Sequence, residues 1–253
     1  MRILTATLRI YVDAARDAGK AFAGSAWALI ALLACFPLLA GARILVAPLG
    51  FFGGFLLTFL EAAAAGTYLA CLSDALQSRR GIGPDTLRAN LGAHTFDIIG
   101  VLFPIFVLHL LLLLVQAPVI VTLPVSIAIA LFLNPVPEMI GRSRNAGTEL
   151  LREAVQFMLR NGWEWIVPQL VALGVLYVAF PTKAIAVLGL FGPRFGFTDA
   201  GSLAVSAGSG AVGWAIGFGL VAFVHLAMLF RGALYQRLSG GGRRAREWAE
   251  RFR

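Results

Sequence analysis

The 253-residue chain is 59% hydrophobic and 13% charged, with a net charge of +8 and a mean hydropathy of +0.82. Soluble domains carry about 25% charged residues, so this composition excludes an ordinary soluble enzyme and indicates an integral membrane protein. Only two of the 21 basic residues, Lys20 and Lys183, are lysines; such arginine, alanine, glycine and leucine usage points to a GC-rich bacterial source. No basic stretch accompanies a folded soluble domain, which argues against a nucleic-acid partner. Two cysteines, Cys35 and Cys71, lie inside apolar runs. They offer neither metal-ligand spacing nor a disulfide framework, and no metal or other cofactor is expected.

The N-terminal "MRILTATLRIYVDAARDAGK" lacks the apolar core and cleavage site of a signal peptide. About 20 apolar residues cross ~30 Å of hydrocarbon, and six runs meet that need in chain order. The first is 21–39 and the second about 49–72, which contains one acid, Glu61. After Asp97, as far as Leu133, only His109 can carry charge. That length is too great for one crossing, so the "QAP" at Gln116–Pro118 is read as a turn between spans three and four. Spans five and six cover about 165–181 and 203–230. The chain therefore reads as a six-span membrane domain, 1–238, and a basic cytoplasmic tail, 239–253.

Positive charge orients the spans. With the N-terminus in the cytoplasm, 18 basic residues fall inside, and only Arg43, Lys183 and Arg194 fall outside. Both termini are then cytoplasmic, in the inner membrane of a bacterium. The stretch "LFLNPVPEMIGRSRNAG", 131–147, meets that cytoplasmic face. Its prolines read as a helix stop at the interface, with Glu138 near the headgroups beside Arg142.

Each pair of spans follows a polar, basic, amphipathic stretch: 4–20, about 78–94, and 146–161. "LRIYVDAARDAG" from Leu8 matches "LREAVQFMLRNG" from Leu151 in its Leu-Arg opening, a Val and a closing Gly, and "LRANLG" from Leu87 is a shorter echo. The expected architecture is all-α: six transmembrane helices as three hairpins, each preceded by a cytoplasmic interfacial helix. This arrangement, with "LFRGALYQRL" near the end and the arginine-rich tail, resembles a broad group of bacterial six-helix membrane proteins. The group includes the membrane domain that precedes some glycerophosphodiester phosphodiesterases. The resemblance implies a fold and no catalytic residues, because the soluble phosphodiesterase domain is missing.

Two motifs suggest proteolysis and fail on chemistry. "SAGSGAVGWAIG" resembles the rhomboid nucleophile loop, with Ser209 as nucleophile. The downstream His225 lies on the same helix about 24 Å along the axis, out of reach of Ser209. "LFRGALYQRL" resembles the first motif of glutamate-dependent CAAX-type proteases, but Leu226 and Ala227 stand where the paired glutamates belong. The chain is therefore not expected to be an enzyme.

Ionisable residues inside spans remain, since charge in lipid is costly. Glu61 and His109 both come out near mid-membrane and are expected to face each other as a polar site. Arg231, Arg237, Arg243, Arg244, Arg246 and Trp248 are expected at lipid headgroups, where each arginine contributes on the order of 1 kcal/mol against an anionic surface. The function expected is a scaffold or subunit organising lipid or partner proteins. The alternative is a small transporter, channel or permease subunit built on Glu61 and His109. The partners expected are a bilayer with anionic lipids and a protein of a membrane complex.

Overall fold

The computed structural model describes residues 2–77, 81–143, 145–179 and 211–240. These residues form helices and no strand. In order they are α1 (Arg2–Gly24), α2 (Ala26–Val46), a 3-10 turn (Ala47–Leu49), α3 (Phe51–Gln77), α4 (Pro84–Ala89), α5 (Thr95–Leu114), α6 (Val119–Phe132), α7 (Val136–Met139), α8 (Gly147–Ala179) and α9 (Ala211–Ser239).

Among the described residues, five stretches are long and apolar enough to cross a membrane: Ala26–Leu49, Phe51–Gln77, Thr95–Leu114, Val119–Met139 and Gly217–Ser239. The protein is thus an all-helical, multi-pass membrane protein. The fifth expected run ends outside the described residues, and the "SAGSG" stretch with Ser209 and the tail from Gly241 onward lie outside them.

The amphipathic stretches differ from the expectation in three ways. α1 does not lie alone on a lipid surface. It runs antiparallel along α9, with its small residues Ala14, Ala18 and Ala21 buried in the core and the ring of Phe22 tilted against that of His225 (5.6 Å between centroids). The second stretch yields only the six-residue α4, which starts on Pro84. The third is not a separate helix, because α8 continues without a break through 33 residues. A single glycine, Gly162, costs a helix only about 1 kcal/mol and does not end it. Pro168 has no N–H to offer the carbonyl four residues earlier, at Glu164. The hydroxyl of Tyr11 on α1 donates to that carbonyl instead (2.9 Å). Burial raises the pKa of this phenol, and the charge of Glu164 adds to the effect.

α2 and α3 form a packed hairpin, whereas α5 packs on α3 and α8 rather than along α6. α3 crosses close to the loop before α5, and Gly66 makes that possible: a Cβ there would run into the carbonyl oxygen of Ala93. Burial is uneven. It concentrates in 62–72 of α3, in α7, in the first half of α8 and in the second half of α9. The distant halves of α3 and α5, and all of α6, present large apolar side chains outward. The core thus sits at the end of the bundle that carries most of the basic residues.

Candidate functional site

The stretch that breaks span four builds the most polar part of this core. α6 ends at Phe132, and Pro135 caps the one-turn helix α7. Val136, Pro137, Glu138 and Met139 are all buried, so the prolines do not stop the helix at a wet interface. They turn the chain inward and aim the carboxylate of Glu138 at Arg231 of α9.

Arg231 is 1% exposed and Glu138 6%. Arg231 Nε donates to Glu138 Oε1 (2.6 Å) and Nη2 donates to Oε2 (3.0 Å), a two-pronged pair of the kind that fixes both position and plane. Nη2 also donates to the carbonyl of Asn134 (2.7 Å), and Nη1 to Gln169 Oε1 (3.3 Å). The guanidinium carbon lies 5.3 Å from the centre of the Trp165 ring, a cation–π contact. Trp165 in turn donates its indole N–H to Asn134 Oδ1 (2.7 Å). One cation thereby ties the α6–α7 turn, α8 and α9 together. Beside it, Arg142 Nη1 donates to the carbonyl of Gly232 (2.9 Å). Burial lowers the pKa of this guanidinium, and the charge of Glu138 opposes that. The expectation that Glu138 lies beside Arg142 agrees with this geometry. Its carboxylate is buried in the protein rather than open to headgroups.

A second buried knot joins three other helices. His225 of α9 is 0% exposed. Its Nε2 lies 2.8 Å from Ser25 Oγ, at the one-residue break between α1 and α2, and its Nδ1 lies 2.9 Å from the hydroxyl of Tyr68 on α3. Ser25 and Tyr68 are also buried. A serine beside an imidazole resembles a nucleophile and its base, but a site with no exposed atom of either group cannot meet a substrate. Both ring nitrogens are occupied in holding helices together.

The expected site residues fare unequally. Arg231 was expected at the headgroups and is instead turned inward, because Glu138 offers it a carboxylate that water and lipid would otherwise have to replace. Arg237 is directed at α1, where it bonds Asp13 (3.3 Å) and Asp17. Arg243, Arg244, Arg246 and Trp248 lie outside the described residues.

Glu61 and His109 sit on neighbouring helices but at different levels. α3 and α5 run antiparallel, with the Gly92 N–H donating to Thr67 Oγ1 (2.9 Å) and the rings of Phe59 and Phe96 edge to face at 6.1 Å. That register sets Glu61 near Ile98 and places His109 about 16 Å farther along α5. His109 Nδ1 donates to the carbonyl of Ile105 on its own helix (2.8 Å). Among the described residues, no group of three or more His, Cys, Asp or Glu side chains is arranged to hold a metal ion.

Sequence reasoning missed the Arg231–Glu138 pair, although a signal was present. The first charged residue after the run that ends at Leu133 is Glu138 and the first after the run that ends at 230 is Arg231, and the two are opposite in sign. No protein-family model, curated protein or solved structure shows a significant match to this chain.

Proposed function

We propose that this chain is a non-enzymatic scaffold or subunit of the bacterial inner membrane that organises lipid or partner proteins. In this reading the chain crosses six times, in three pairs of spans consecutive in sequence, with both termini in the cytoplasm. The tail arginines Arg243, Arg244 and Arg246, with Trp248, meet anionic headgroups. The observation that supports it is how the buried ionisable groups are used. Arg231 bonds Glu138 across α9 and α7, and His225 bonds Ser25 and Tyr68 across α9, the α1–α2 break and α3, so these groups hold the bundle in one arrangement. Catalysis and alternating access both need such groups to change partners.

Reconstitution tests it. Proteoliposomes carrying an internal pH-sensitive dye and an imposed proton gradient are expected to hold that gradient as well as protein-free vesicles do. A protein-dependent leak that disappears in Glu61→Gln would replace the scaffold with a transporter.

A further inference from the structure

We infer that the outward face of α8 is a contact site for an anionic phospholipid. The inference rests on the membrane reading and deepens its lipid partner. α8 is one continuous helix that changes from polar to apolar near Gly162. At 100° per residue, Arg152, Gln156, Leu159, Arg160, Trp163, Leu170 and Val178 fall within about 60° of Trp163 on one face. All seven are exposed, Trp163 by 80% and Leu159 by 72%.

The chemistry along that face follows the profile of a phospholipid. Two arginines come first, then a tryptophan of the type that anchors at the headgroup level, then outward aliphatic residues. Arg160 is less than one turn from Trp163, and Arg152 lies about 16 Å away, both on the polar side. The acids of this half of the helix lie mostly elsewhere. Glu164 is buried, and Glu153 accepts hydrogen bonds from Ser143 (2.6 Å) and Asn145 (3.1 Å). Glu149 shares the outward face but lies about 21 Å from Trp163. The charge next to the tryptophan is therefore positive, which selects an anionic headgroup over a zwitterionic one.

Trp163 reports directly on this site. Its fluorescence is the difference between the native protein and Trp163→Phe. Vesicles containing brominated phosphatidylglycerol are compared with vesicles containing brominated phosphatidylcholine at equal mole fraction. Trp163 is expected to be quenched by both and more strongly by phosphatidylglycerol, with a relative association constant of about ten. That ratio is expected to fall to about one in Arg152→Gln/Arg160→Gln. Both arginines are exposed, so the double variant should fold normally, as judged by an unchanged elution profile in detergent. Equal quenching by the two lipids would overturn the inference, as would a preference that survives the double substitution. An unquenched Trp163 would show that a protein surface covers the face, and this too would overturn it. None of these three outcomes bears on whether the vesicles hold a proton gradient, so the scaffold reading stands or falls separately.

Discussion

α6 and α9 are both apolar enough to cross a membrane, and the span containing α6 is the more hydrophobic of the two. Yet α6 has no buried residue, while α9 is the most enclosed of the candidate spans. The difference follows from the solvent. In lipid, apolar side chains gain little by leaving one hydrocarbon environment for another, so hydrophobicity does not draw a helix to the centre. Polar groups do, because they must find partners inside the protein. α9 carries His225 and Arg231, and these are the residues around which the other helices gather. α6 carries nothing of the kind until the chain leaves it at Asn134.

The largest effect expected from breaking this contrast is at the ion pair. Glu138→Ala leaves the Arg231 guanidinium buried without its carboxylate and should cost about 3–5 kcal/mol, read as a large fall in melting temperature in detergent. The double variant Glu138→Leu/Arg231→Met should recover most of that loss, because an apolar pair of similar volume carries no charge to desolvate. A double variant as unstable as the single one would mean that the pair does not act as a unit.

The bond of Arg237 to Asp13 and Asp17 lies on the same helix but is partly open to solvent, with side chains 34–47% exposed. Arg237→Gln should cost at most about 1 kcal/mol. The difference in melting temperature from the native protein should shrink as salt is raised from low ionic strength to about 0.5 M, as screening weakens the native bridge.

The smallest effect is expected on α6. Ile120 is among its most exposed side chains, and Ile120→Ala should change stability by less than about 0.5 kcal/mol. A loss of 2 kcal/mol in the same measurement would show that α6 is covered in the native assembly, and the contrast with α9 would then concern the isolated chain alone.

Much of the fold was legible because span length and hydropathy are local properties. The apolar runs around Leu32, Leu56, Val107 and Val125 correspond to helices, and the turn at Gln116–Pro118 falls where span-length arithmetic puts it. Joins between elements were less legible. Gly162 is a weak breaker, and the proline gap at Glu164 is closed by Tyr11, 153 positions away. The candidate site was misread for the same reason. Arg231 looks like a terminal snorkelling residue when its neighbours in sequence are considered. Its true neighbour, Glu138, is 93 residues distant. Glu61 and His109 looked paired because depth was counted from span ends, whereas the crossing at Gly66 sets the actual register.

The separation between Glu138 and Arg231 has a consequence for synthesis. At ribosomal speeds of 5–20 residues per second, the interval between emergence of the acid and emergence of its arginine is on the order of ten seconds. Through that interval the inserted part of the chain carries a carboxylate with its fixed cation still unmade. Water, a proton or an insertion factor must serve it until then. The final span is thus the step that locks the earlier ones. A polypeptide released before Arg231 would be left with the end of α6 and α8 unfastened, a ready substrate for membrane proteolysis.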